Sequence, residues 1–213
     1  MSPLHAISGR RAAAVVVWAA AALLAIASPA SAQEAPDAMV KRVAQDVIAT
    51  IKADPLVQAG NEARIREVIE AKLVPNFDFP RMTALAMGKN WRAATPEQQK
   101  RLADEFKTLL VRTYSGALNQ YRNETIETKP LRMAAGDTEV TVRTVVIRPA
   151  GSPVQIDYSL TKAADGWKVF DVVIGGVSLV TNYRDEFNEQ MKNGGVDGLI
   201  KTLSDRNKGV AAK

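Results

Sequence analysis

The sequence predicts an α+β fold in which about six helices surround a four-stranded antiparallel sheet. Apolar residues recur at helical spacing through the first half of the chain, up to about Tyr121. After Asn123 they alternate with polar residues, which is the period of a β-strand. Only short runs of turn residues separate the β-rich segments, so the strands should pair as an antiparallel meander with the helices gathered around one sheet.

The first two helices are predicted from apolar spacing and from residues that stop a helix. Valines and isoleucine recur on one face over residues 36–52, and Asp54-Pro55 ends that stretch. The second helix should begin near Asn61 and end before Pro75.

The third and fourth helices carry clearer boundary residues. The third is predicted over residues 79–87 and closes at Gly88. The fourth starts with the Thr-Pro-Glu-Gln sequence of residues 95–98, in which a threonine cap, a proline at the first position and a glutamine at the third satisfy free backbone amides. This long helix should continue to about Tyr121.

The second half of the chain contains the predicted sheet and the last helices. From Ser178 the helical period returns, Gly194-Gly195 breaks it, and a last short helix follows. The four strands are predicted over residues 125–131, 139–148, 154–162 and 167–174.

The first 32 residues have the layout of a cleaved secretory signal. Arg10 and Arg11 precede an apolar run of about 16 residues, which is shorter than a membrane span. The small residues of positions 30–32 then predict cleavage after Ala32, so residues 33–213 should form one exported, periplasmic domain. We expect nothing later in the chain to span a membrane.

Composition argues against most enzyme classes. The chain contains no cysteine, and its one histidine, His5, leaves with the predicted signal. The mature protein therefore lacks the usual catalytic dyads, zinc ligands and disulfides. Its net charge falls from +5 to about +3 when the signal is removed. Acidic and basic residues are interleaved, and the glycines form no phosphate-binding loop, so we expect neither nucleic-acid nor nucleotide binding.

Carboxylates leave one enzymatic alternative open. A pair of Asp or Glu residues is all that a glycosidase-like mechanism needs, but most of them lie on predicted exposed helix faces. Asp171 lies in an otherwise apolar strand, and we interpret it as a hydrogen-bond or ion-pair anchor between sheet and helix rather than as a catalytic group.

The second predicted strand carries apolar residues on both faces. Val140, Val142 and Val146 point one way, whereas Val145 and Ile147 point the other. From composition alone, this pattern favours a sheet that is sandwiched between helices.

Several motifs follow one another in a fixed order. In the amino-terminal half they are Phe77-Asp78-Phe79, Ala86-Met87-Gly88, Trp91-Arg92, the Ala-Thr-Pro-Glu-Gln of residues 94–98, and residues 106–110 with Thr113-Tyr114. In the carboxyl-terminal half they are residues 142–144, Tyr158, residues 167–172, residues 176–180 and residues 183–187. In order and spacing these motifs resemble the MlaC family, also called the toluene-tolerance family, over nearly all of the mature chain.

The resemblance implies a periplasmic phospholipid-binding protein of a Mla-type transport system that maintains outer-membrane lipid asymmetry. Its partners would be an inner-membrane MCE-domain ring protein of an ABC transporter and an outer-membrane lipoprotein-porin complex. In this family the sheet and helices surround an apolar cavity for acyl chains, which replaces the sandwiched sheet as our expectation. The resemblance implies no cofactor and no catalytic residue, with phospholipid as cargo.

The long helix and the sheet should supply the walls of the cavity. A glutamate at Val177 or Phe170 would then place a charge against acyl chains and should release the lipid. The predicted wall residues are Leu85, Phe106, Leu110, Tyr114, Val145, Ile147, Ile156, Tyr158, Phe170, Val172 and Val177.

Arg143 is the predicted rim residue. It interrupts a strand of Val and Thr, and a buried guanidinium requires a partner. Two partners are open: a lipid phosphate, which the Tyr114 hydroxyl could share, or Asp171 on another strand, which would make Arg143 structural.

Three other functions stay open at this point. The cargo could be another amphiphile such as a hopanoid, because an apolar cavity does not specify its ligand. A periplasmic hydrolase that uses a carboxylate pair and a purely structural adaptor are the alternatives from other classes.

Overall fold

The computed structural model describes residues 33–119 and 123–209. The predicted signal and Tyr121 lie outside these ranges. The described residues form six α-helices, and short 3₁₀-helices over Val74–Asn76 and Gly88–Ala93 flank the fourth. The helices are α1 (Pro36–Ala53), α2 (Pro55–Gln58), α3 (Glu62–Lys72), α4 (Phe79–Met87), α5 (Pro96–Asn119) and α6 (Leu179–Asn207).

The predicted start of the long helix is confirmed in detail. The backbone amide of Gln98 donates to the Thr95 hydroxyl at 3.3 Å, and the amide of Thr95 donates to the Gln98 side chain at 3.0 Å. This reciprocal capping satisfies two amides that have no partner within the helix. The α5 helix therefore starts where its local sequence specifies.

The predicted break in the last helix is also confirmed. Gly195 has φ 61° and ψ −160°, which is not a helical conformation. Beyond it the chain folds back on the first part of α6: the Thr202 hydroxyl donates to the Gln190 side chain at 3.2 Å, and Arg206 pairs with Glu186. The α6 helix is therefore a helical hairpin.

The sheet is an antiparallel meander of five strands rather than the predicted four. In the order β1-β2-β3-β4-β5, the strands are β1 (Thr125–Thr128), β2 (Glu139–Ile147), β3 (Val154–Ala163), β4 (Gly166–Ile174) and β5 (Val177–Ser178). The extra strand β5 follows a turn in which Gly175 and Gly176 have φ 57° and 88°. This turn returns the chain along β4 before α6 begins.

Buried side chains form two main clusters, one among the helices and one on the sheet. The helical cluster comprises Met82, Ala86, Met87, Ala94, Leu102, Phe106, Leu110, Val180, Tyr183, Phe187, Leu199, Ile200 and Leu203. The sheet cluster comprises Met39, Val40, Val43, Val142, Leu160, Trp167, Val169 and Val172. Phe77 packs against both clusters and so joins the two layers.

A third, smaller cluster joins α1, α2, α3 and α5 through residues such as Val57, Ile65 and Val111. The first half of α1 covers the sheet, and its second half packs in this cluster. None of the described helices has the length and hydrophobicity of a membrane span.

Candidate functional site

One face of the sheet packs against the first half of α1 and carries the sheet cluster, and we call it the inner face. In β2, Val142 and Thr144 are fully buried, whereas Thr141 and Arg143 are exposed, so the even-numbered residues of β2 point inward. Directly opposed residues of antiparallel strands share a face. Because Val142 pairs with Tyr158, the even-numbered residues of β3 also belong to the inner face.

Burial changes along the inner face from one end of the sheet to the other. Near the start of β2, Val142 and Leu160 are completely buried beneath the first half of α1. Toward the β2–β3 hairpin the apolar residues become only half-buried. We call this end the open end, and we call its half-buried inner-face residues the apolar patch. The apolar patch consists of Ile126, Val146, Val154, Ile156 and Ile174.

Chain topology brings two helix ends to the open end. The strand that follows α5 pairs with the last residues of β2, and α6 begins directly after β5, which pairs with the end of β4. The α5 helix packs mainly against α3, α4 and α6. The apolar patch therefore lies where the sheet is least covered by helices.

Aromatic side chains hold α5 against α6 beside this end. The ring of Phe106 lies edge-on to Tyr183 and Phe187, with centroid distances of 5.0 and 5.1 Å. Tyr114, about two turns further along α5, packs against the same cluster. Burial raises the pKa of Tyr114, and the nearby Tyr183 raises it further. Both tyrosines are therefore neutral at physiological pH.

Asp171 anchors the sheet to α6, as predicted. Its carboxylate accepts hydrogen bonds from the amides of Val172 at 2.8 Å and Val180 at 3.1 Å, and from the Ser178 hydroxyl at 2.7 Å. Ser178 in turn accepts from the amide of Thr181 at 3.0 Å and caps the helix. The start of α6 is thus fixed to β4.

Five of the predicted wall residues lie together in the helical layer. Phe106 and Leu110 belong to the helical cluster, and the other three pack against it. Phe170, which lies beside a β-bulge, is also covered by the Arg81 guanidinium at 3.8 Å from its ring centroid. The five residues are Leu85, Phe106, Leu110, Tyr114 and Phe170.

Three more predicted wall residues lie on the inner face. Val172 is buried in the sheet cluster, and Ile156 and Tyr158 pack against that cluster. Burial raises the pKa of Tyr158, although the neighbouring Thr144 hydroxyl opposes the shift. Ile156 is the one predicted residue that also belongs to the apolar patch.

Val145 and Ile147 do not lie with the predicted wall residues of the inner face. Both are half-buried, but their odd positions in β2 place them on the opposite face of the sheet from Val142 and Tyr158. Side chains on opposite faces cannot line one space. The β2 residue on the inner face at the open end is Val146.

Arg143 is not buried, and of its two open partners the Asp171 alternative is wrong. Its side chain is 66% exposed, and its Nε atom lies 3.8 Å from the Asp157 carboxylate. The strand register places Arg143 directly opposite Asp157. The Asp171 carboxylate already accepts three hydrogen bonds from β4, Ser178 and the start of α6. Val177 is likewise 57% exposed, because β5 lies at the edge of the sheet.

Four residues of the apolar patch were not predicted as wall residues: Ile126, Val146, Val154 and Ile174. The available signal was the alternation of β3, in which Val154 and Ile156 share a face. Pairing that face with β2 selects Val146 instead of Val145. To choose between Val145 and Val146, the strand register is needed, and the sequence alone does not specify it.

Four of the concavities that the described residues border lie away from the apolar patch. One of them has a volume of about 990 Å³ and lies between α1, α2 and α3, where it is lined by residues such as Ala53, Leu56 and Arg64. Of the predicted wall residues, only Phe170 lines any of the four.

Comparisons with known proteins agree on one family. The family model described as MlaC protein matches residues 41–205. A toluene tolerance protein, ttg2D of Pseudomonas putida, is 28% identical over 89% of this chain and 85% of its own length. The intermembrane phospholipid transport system binding protein MlaC of Haemophilus influenzae is 21% identical over 82% of this chain and 83% of its own length.

A solved structure has the same fold over most of this chain. It is a phospholipid-binding protein from Ralstonia solanacearum in complex with a phospholipid, and it is 46% identical to this chain. The match has a TM-score of 0.77 and covers 83% of this chain and 98% of the other.

Proposed function

Because this chain belongs to the MlaC family, we propose that it is a periplasmic carrier that binds phospholipid and moves it between the two membranes of the cell envelope. The acyl chains would enter along the inner face of the sheet at its open end. The observation that carries the proposal is the apolar patch, which leaves half-buried aliphatic side chains at one end of an otherwise closed core. A 46% identical relative that binds phospholipid supports the choice of ligand.

The energetics of lipid transfer explain why such a carrier needs no catalytic group. Two sixteen-carbon chains contain roughly 28 methylenes, and at about 0.8 kcal/mol each they place a free lipid some 20 kcal/mol above one in hydrocarbon. Unaided diffusion through water is therefore extremely slow. A protein that offers an apolar environment equal to the bilayer removes this barrier without changing any covalent bond.

Binding would require the helical and sheet layers to separate at the open end. Phe106 is completely buried, and Leu110 and Val172 are 6% and 7% exposed, so their side chains already fill the interior. An acyl chain can occupy that region only by replacing contacts between the two clusters. The Asp171 anchor and the Phe77 contact would hold the layers together while the open end widens.

The proposed pathway has two exchange partners. We infer that the protein receives or delivers lipid at an inner-membrane MCE-domain ring protein of an ABC transporter and at an outer-membrane lipoprotein-porin complex. The name of the Haemophilus influenzae relative, an intermembrane transport system binding protein, supports this assignment. Export would remove the first 32 residues, so the intact mass of periplasmic protein should correspond to a chain that begins at Gln33, with allowance for pyroglutamate. An uncleaved product would contradict the export step.

Two neighbouring substitutions test the proposed site. Val146 belongs to the apolar patch, whereas Val145 is equally half-buried on the opposite face of the same strand. Val146→Glu would place a carboxylate against acyl chains, which is costly enough that the lipid should be lost. Val145→Glu introduces the same residue on the opposite face of the strand from the apolar patch and should retain the lipid.

The measurement is the amount of phospholipid extracted from each purified variant per mole of folded protein. Circular dichroism and thermal melting establish that both variants fold. Equal lipid retention by two folded variants would contradict the proposed site, and absence of phospholipid from the unmodified protein would contradict the proposed function.

A further inference from the structure

We propose that Arg148 forms the rim of the lipid site and binds the phosphate group of the lipid. This inference rests on the proposed function and adds a residue that recognises the headgroup. It replaces Arg143, which the strand register places on the outer face of the sheet.

The first argument is the order of inner-face residues along β2. From the closed end to the open end they are Val140, Val142, Thr144 and Val146. Arg148 is the next residue of the same parity, one position beyond Ile147, where the strand ends. One strand thus presents an almost entirely apolar surface that ends in a guanidinium at the open end. An anionic lipid has the same order of groups when its apolar tails point into the protein and its charged headgroup lies at the open end.

The second argument concerns the backbone of Arg148. It precedes Pro149, and the proline ring disfavours the helical region for the residue before it. We therefore expect Arg148 to be extended and to continue the alternation of β2 past its last hydrogen-bonded residue. A second proline, Pro153, borders the other side of the hairpin loop. The loop should hold Arg148 near the apolar patch.

The third argument is the charge. Arg148 is exposed and has no ion-pair partner among the described residues. Arg143 and Arg81, by contrast, each pair with a carboxylate. Its forked donors suit the oxygens of a phosphodiester. Because the apolar patch is adjacent, a phosphate bound there would be attached to acyl chains. A neutral amphiphile such as a hopanoid would gain nothing from this residue.

The test compares two lipids that differ only in the headgroup. Dipalmitoyl phosphatidylglycerol and dipalmitoyl glycerol compete with a fluorescent phospholipid for the full mature protein. We expect the unmodified protein to bind the phosphate-containing lipid roughly tenfold more tightly, an advantage that decreases with added salt. Arg148→Met should reduce the preference to less than about twofold and leave the affinity for dipalmitoyl glycerol unchanged.

Two further variants and one anion complete the design. Arg143→Met, on the outer face of the same strand, should retain the full preference, and Arg148→Lys should retain part of it because a lysine keeps the charge. A preference that survives in folded Arg148→Met would overturn the inference, as would an unmodified protein that binds both lipids equally. Loss of the preference in millimolar inorganic phosphate but not in sodium chloride of equal ionic strength, without loss of bound lipid, would show a free-anion site and also overturn it. Failure of both lipids to bind would instead overturn the proposed function.

Discussion

Replacement of Asp171 by alanine should destabilise the protein by about 3 kcal/mol. The carboxylate accepts hydrogen bonds from two amides and one hydroxyl at 2.7 to 3.1 Å, and all three donors are part-buried. Hydrogen bonds to charged groups contribute about 1.5–3 kcal/mol each, but water can replace part of them at a half-buried site. One strong bond and a fraction of the other two therefore give about 3 kcal/mol.

Urea unfolding followed by circular dichroism measures this loss as a lower midpoint with an unchanged slope. Arg143→Met is the control: an exposed pair at 3.8 Å should contribute at most about 0.5 kcal/mol. A double-mutant cycle with Ser178→Ala should give a coupling of about 1 kcal/mol, because Ser178 donates to the same carboxylate. A loss below about 1 kcal/mol for Asp171→Ala, or a large loss for Arg143→Met, would refute the assignment of the anchor.

The remaining predictions use the same unfolding measurement. Gly175→Ala should destabilise the protein by about 1 kcal/mol, because φ is 57° and L-residues are strained there. Gly116→Ala inside α5 should instead stabilise the protein by roughly 0.5–1 kcal/mol. Equal effects of the two substitutions would contradict the strain argument. Phe187→Ala should cost about 3–5 kcal/mol because the side chain is fully buried, and Val177→Ala should change stability by less than about 0.5 kcal/mol; a large loss at Val177 would show that it is not an exposed edge residue. Burial raises the pKa of Tyr158 above its usual 10.0, so the unfolded chain loses this proton first and stability should fall as the pH rises above 10.0. Tyr158→Phe should make this alkaline loss shallower, and an unchanged pH profile would contradict burial of the hydroxyl.

Features that depend on local sequence were predictable. The reciprocal cap at Thr95, the end of α4 at Gly88 and the break in α6 at Gly195 are all specified by residues within a few positions of one another. The short strand β5 was not predicted, because two residues after a glycine pair carry no alternating pattern. Its pairing depends on the edge of β4 instead.

Features that depend on strand register were not predictable in the same way. Whether Val145 or Val146 lies on the inner face is decided by the register of β2 with its neighbouring strands. The partner of Arg143 is likewise decided by its position opposite Asp157, not by the absence of other charges in its strand. The apolar walls were therefore identified by residue type, whereas their assignment to one face required the structure.

The most direct test of the account is native mass spectrometry of protein purified gently from the periplasm, followed by extraction and identification of whatever is bound. A carrier of the proposed kind should retain phospholipid in stoichiometric amount and release it under activation to leave a folded chain that begins at Gln33. A protein that is isolated without lipid, or with an amphiphile that contains no phosphate, would contradict the central claim.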